Sequence, residues 1–148
     1  MPPKKKKQTV KKSRVGKNRN NGTLSEAGFW SLIRSTLRNA SRWWKPIAEA
    51  KKRARRAYKG KNKSQKWEYQ CAHCKEWFME KEIAVDHIVE VGSLTCGDDL
   101  KGFVERLFVE VDGFQVLCNK RTDGKESCHK KKTDNYMKNK KKAKVESC

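Results

Sequence analysis

Acidic residues are nearly missing from the front of this 148-residue chain. Residues 1–66 hold 2 of its 17 Asp and Glu but 22 of its 37 Lys and Arg. The whole excess of +20 therefore lies there, and residues 67–148 are balanced. A surface of that sign excludes cationic partners and asks for a polyanion, with a phosphodiester backbone as first candidate. An anionic membrane surface competes, but needs a basic amphipathic helix whose apolar face is free to insert. Apolar residues are also few, 35% against 36% charged, which excludes a large core and leaves part of the chain outside any core. Long apolar runs are lacking, and "MPPKKKKQTVKKSRVGKNRNNG" is polar and basic. Neither a secretory signal nor a membrane span is expected, so the reading is a cytoplasmic protein. In that reducing setting six cysteines are metal ligands or thiols rather than disulfides. "PPKKKK" would suit nuclear import in a eukaryote, although a tail that grips phosphates needs no such setting.

Composition divides the chain into four parts. Residues 1–22 read as a disordered basic tail and 23–66 as a basic helical arm with a linker. Residues 67–136 form a mixed module, and 137–148 a basic C-terminal tail. In the arm, Phe29, Ile33, Leu37, Ala40 and Trp44 recur on one helical face, with Ser25 or Thr23 as cap and Pro46 as break. A second helix is expected over about 47–58. Its cations Lys51, Lys52, Arg53, Arg55 and Arg56, with Arg34 and Arg38 of the first helix, are candidate phosphate contacts. The same pair also reads as a bracket packed on the rear module through Phe29, Trp30, Trp43 and Trp44. Behind the linker, residues 67–91 read as two strands of a hairpin, 92–111 as a loop and a short amphipathic helix, "GFQVLC" as a strand, and "ESCHKKKTDNYMKNKKKA" as a polar helix. The fold class is thus α+β.

Cys71 and Cys74 form the knuckle "CAHC", and Cys118 and Cys128 make a second, wider pair. Four thiolates in two pairs suit tetrahedral Zn²⁺, which would clip together a module too small to build much core. The Asp123-Gly124 turn signal lets the second loop fold back. Cys96 reads as a small core residue and Cys148 as inert. His73 lies inside the knuckle as a ligand or as surface filler.

"AVDHIVEV" has the β-branched character of a buried strand, yet Asp86 and His87 stand side by side in it. Histidine is scarce, with three in the chain. One of them, His129, follows Cys128 directly, so a zinc clip carries it toward Asp86. An Asp oxygen and an imidazole nitrogen make a half-filled shell for a catalytic divalent ion, Mg²⁺ or Mn²⁺, with His87 beside it as general base. Neighbouring strand residues point to opposite faces. Asp86 and His87 must therefore sit at a bend or flank the phosphate from different sides.

The order of "CAHC", "VDHIV", "FQVLC" and "SCHKKKT" resembles the HNH endonucleases, and "GFWSLIRSTLRNASRWWKPI" looks like the helical lead-in of small HNH proteins of tailed bacteriophages. The resemblance implies a zinc-stabilised ββα-metal module that hydrolyses DNA to 5′-phosphate and 3′-hydroxyl ends. It casts Asp86 and His129 as ligands of the catalytic ion, His87 as base, and Cys71, Cys74, Cys118 and Cys128 as zinc ligands. Its central Asn falls here on Gly113, with Asp112 or Asn119 as substitutes. A phage origin would place the protein in the host cytoplasm, with a packaging or replication machine as partner. Residues 67–126 are acidic, 7 cations against 13 acids, so the arm and Lys130, Lys131 and Lys132 should hold double-stranded DNA around the module. A non-catalytic zinc ribbon that binds nucleic acid, or a basic scaffold protein, would have no use for Asp86, His87 and His129.

Overall fold

The computed structural model describes residues 16–143, a mixed α+β chain with four helices and three small sheets. The proposed import signal, the first fifteen residues of the tail and Cys148 lie outside them. Regular structure begins with a hairpin of β1 (Lys17–Arg19) and β2 (Leu24–Ser25), ahead of where composition ends the tail. Asn20, Asn21 and Gly22 take the left-handed backbone that reverses the chain. Arg19 then forks onto Glu26 at 2.8 and 2.9 Å and lies over Phe29.

Helix α1 (Glu26–Ser41) starts on a Ser25 cap, whose hydroxyl accepts the Gly28 N–H at 3.1 Å. Helix α2 (Lys45–Arg53) carries Pro46 in its first turn, where no amide hydrogen is needed. It stops five residues short of the expected end. Residues Arg55–Ala57 form strand β3 instead, antiparallel to β4 (Trp67–Gln70). Tertiary pairing overrides helix propensity here. Arg55 stacks over Trp67 at 4.1 Å, and Arg56 bonds Glu68 at 2.6 Å while covering Trp77.

Strand β5 (Trp77–Phe78) pairs back on β4 across the knuckle of residues 71–76. Lys75 adopts a positive φ of 62° there, and its N–H closes on the Cys71 carbonyl. The hairpin expected over 67–91 is therefore divided. Strand β6 (Ile83–His87) pairs not with β4 but with β7 (Phe114–Cys118), from Ile83 opposite Cys118 to His87 opposite Phe114. The 26 residues between these strands include α3 (Leu100–Leu107). Helix α4 (Cys128–Lys142) follows, capped by Ser127, and runs past residue 136, where composition puts the start of a tail.

Burial is concentrated in two clusters. Val91, Leu94, Phe103 and Leu107 receive Trp30, Ile33 and Leu37 of α1 together with Phe108. Ile33 and Leu37 of the expected α1 stripe are therefore covered by protein, whereas Ala40 is exposed. The second cluster joins Leu117 and Phe78 to the four cysteines of the two pairs. Trp44 donates its indole N–H to the Val109 carbonyl at 2.7 Å and meets Phe108 edge to face. Trp43, expected as an anchor, is 87% exposed. Cys96 is half-buried. Among the described residues no helix is long and apolar enough to cross a membrane.

Candidate metal centre and active site

The sulfurs of Cys71, Cys74, Cys118 and Cys128 all lie within 4.8 Å of one another. A tetrahedral zinc with Zn–S of about 2.3 Å separates its sulfurs by about 3.8 Å, so the cluster is a candidate metal site consistent with zinc. Three elements deliver it: the β4–β5 knuckle, the end of β7 and the first turn of α4. The Cys128 amide at that helix start donates to the Cys118 sulfur at 3.2 Å. Burial pushes the Cys128 thiol up to about 12, reinforced by the sulfurs of Cys118 and Cys71. Cys74 is raised too, again by burial first. Burial also acts upward on Cys71, but backbone N–H groups of Cys74, Cys118 and His73 prevail and bring it down to about 7. His73 is exposed, with Nδ1 3.5 Å from the Cys128 sulfur.

Arg121 is the residue of this centre that spacing did not reveal. Its side chain is 5% exposed and donates to the sulfurs of Cys74 at 3.5 Å and Cys118 at 3.8 Å. Glu76 and Asp123 hold it, each at 2.5 Å. Hydrogen bonds from Arg121 hold the Asp123 carboxyl well below its ordinary range. Four thiolates around one Zn²⁺ leave net negative charge, and a buried guanidinium is the natural complement. In the sequence it is one of three cations, with Lys120 and Lys125, in the loop that separates the cysteine pair.

Asp86 and His87, adjacent in β6, make divergent contacts. His87 sets its ring against Phe114 and its Nε2 2.9 Å from the Leu107 carbonyl at the end of α3. A carbonyl oxygen can only accept, so Nε2 carries the hydrogen and Nδ1 of the neutral ring keeps its lone pair. The Asp86 carboxylate goes the other way, to Lys132 of α4 at 2.5 Å. The same ammonium bonds the His87 carbonyl oxygen and reaches Glu90 at 3.1 Å. Burial works to lower the Lys132 pKa, but Asp86 and Glu90 outweigh it and the net shift is upward. His129 is half-buried one turn earlier on α4. Residues three apart share a helix face, about 5–6 Å apart at Cβ, so His129 and Lys132 stand on one face of α4.

Gly113 has no room for a side chain. A Cβ there would come within 2.6 Å of Val109 Cγ2 and 2.7 Å of its Cβ. The Gly113 carbonyl accepts the Ile88 N–H at 2.9 Å, which ties down the backbone directly after His87. Asp112 is 98% exposed and reaches Arg53 at 3.3 Å, and Asn119 is exposed. Main chain thus braces this loop.

Several expected phosphate contacts have partners within the protein. Lys51 pairs with Glu80 and lies over Tyr69, while Arg53 meets Glu49 and Asp112. Arg38 lies over Phe103 and reaches the Gly92 carbonyl, and Arg34 donates to Ser31. Lys130 pairs with Glu126 ahead of α4 and with Asp134 on it, and Lys52 and Lys131 are exposed. The exposed pairs among these are weak enough to exchange for phosphate.

Compared with protein-family models, curated proteins and solved structures, the chain matches none.

Proposed function

We propose that this protein is a divalent-metal-dependent DNA endonuclease of the HNH type. Strands β6 and β7 with helix α4 form its ββα unit, and zinc on the four cysteines acts as a structural clip. The observation that carries the reading is the His87–Leu107 bond, which leaves a basic Nδ1 one residue from a half-buried carboxylate. The donors near Asp86 suit a hard cation, since Asp86, Glu90 and the His87 carbonyl already surround one positive charge.

In this reading Asp86 and His129 hold the ion. A bound divalent ion supplies charge neutralisation at the scissile phosphate and at the leaving oxygen. His87 Nδ1 takes a proton from the attacking water while Leu107 fixes the ring's tautomer. Lys130 and Lys131 on α4 and the cations of α1 and α2 bind the flanking phosphates. Lys51 and Arg53 exchange their surface acids for phosphate in doing so. The partner is double-stranded DNA.

Incubating plasmid with Mg²⁺, Mn²⁺ or EDTA tests the reading. Relaxed or linear product with either ion, and none with EDTA or with His87→Ala, is expected. A second reading, a zinc ribbon that binds nucleic acid without cutting it, is favoured by one observation: the Asp86 carboxylate is engaged by Lys132. DNA binding with no cleavage in any divalent ion would select it.

A further inference from the structure

The three lysines of "CHKKK" differ in their surroundings. Lys130 is 64% exposed and pairs with Glu126 just ahead of α4 and with Asp134 one turn along it. Lys131 is exposed. Lys132 turns inward, its side chain 25% exposed, and crosses to β6. Its ammonium meets three oxygens: Asp86 Oδ2 at 2.5 Å, Glu90 Oε1 at 3.1 Å, and the main-chain oxygen of His87. An ammonium has three donors, so this set satisfies all of them. Two carboxylates and a carbonyl are also the donors a divalent cation selects.

One position cannot hold both charges. Like charges a few ångströms apart in a half-buried setting repel strongly, and each carboxylate oxygen turned to Lys132 is less available to an ion. We infer that Lys132 is a built-in competitor for the divalent cation at Asp86. In the ion-free protein it balances Asp86 and Glu90, and on ion binding it leaves Asp86 and is released toward the substrate phosphate. Glu90 belongs to the same site as its second carboxylate. The inference rests on the reading of Asp86 as a metal ligand. By linkage, whatever the Lys132–Asp86 pair contributes without the ion is subtracted from the ion's affinity.

The test is Mn²⁺ binding to the full-length, zinc-loaded chain, followed by the electron paramagnetic resonance of free Mn²⁺ and by melting temperature. Lys132→Met should tighten Mn²⁺ by about fivefold or more and lower the melting temperature in the absence of Mn²⁺. Lys132→Gln, which keeps a hydrogen-bond donor without the charge, should tighten it as well, and it serves if the Met variant does not fold. Asp86→Asn should weaken Mn²⁺ in both the wild-type and Lys132 backgrounds. Unchanged or weaker binding in both Lys132 variants overturns the inference. If Asp86→Asn still weakens Mn²⁺ in that case, the nuclease reading stands and only the competitor role falls. If Asp86→Asn changes nothing, or neither wild type nor variant binds Mn²⁺, both fall together.

Discussion

The Nε2 atom of His87 lies 2.9 Å from the carbonyl oxygen of Leu107, twenty residues further along the chain. That bond ties the end of β6 to the end of α3 and decides which ring nitrogen is basic. His87→Ala is therefore expected to lower plasmid cleavage by about 100-fold to 10,000-fold with DNA affinity retained. Full cleavage by the variant would remove His87 as the base. Changing Leu107 itself is the poorer experiment, because its side chain is core while the bond uses its backbone.

Zinc binding should release protons, and its pH dependence has a definite sign. Cys128 and Cys74 have raised pKa values, so in the metal-free protein they hold protons near neutrality that zinc displaces. Affinity should rise with pH by about tenfold per unit for each proton displaced. It should fall more steeply below about pH 7, where Cys71 also takes up a proton. A zinc titration of metal-free protein in weak buffer, read with a pH indicator, checks this; no acid release would argue against thiolate ligation. Cys74→Ser should lose the ion and lower the melting temperature.

Arg121→Ala should weaken zinc binding by about 10-fold to 100-fold, as removal of an outer partner typically does. Arg121→Lys should restore little, because one ammonium cannot reach two sulfurs and two acids as the planar fork does. Competition with a chromophoric chelator gives the affinity. An unchanged value would reduce Arg121 to an ion-pair partner of Glu76 and Asp123 with no part in the sulfur site.

Gly113→Asn, which would supply the central Asn of the HNH pattern, should destabilise this protein. The new Cβ would meet Val109 at 2.6 Å, and overpacking of this kind costs about 1–3 kcal/mol. Val109→Ala should relieve part of that cost, so a double-mutant cycle in thermal unfolding should show coupling between the two sites. Additive effects would mean the strain is relieved elsewhere.

Removing residues 1–15, which carry seven Lys and Arg, should weaken DNA binding and flatten its salt dependence. The slope of log K against log salt should decrease by about 0.9 for each phosphate that the shortened chain no longer neutralises. An unaltered slope would mean that this segment does not touch the backbone.

What the sequence made legible was pattern within a segment. Ile33 and Leu37 on the inner face of α1, the Ser25 cap, Pro46 in the first turn of α2 and the sulfur set of the two cysteine pairs all follow from local spacing. What escaped was decided by partners far along the chain. Strand β3 exists because β4 offers it an edge, and the polar residues 17–25 form a hairpin because Arg19 finds Glu26 and Phe29. Arg121 and Lys132 each looked like one more cation in a basic protein. Their burial against sulfur and carboxylate depends on loop closure that no periodicity encodes. The exposure of Trp43 runs against the usual fate of a tryptophan in a small core.

Helix α4 is fastened twice within its first two turns, by Cys128 to the sulfur cluster and by Lys132 to β6. An oxidant that joined two of those sulfurs as a cystine would leave too few thiolates to hold a zinc ion there and would loosen the helix at its first anchor. Lys132 would then be the one of these two anchors still holding α4 against Asp86. Under oxidative stress such a molecule would fail at its thiols first, and a reductant together with fresh zinc would revive it.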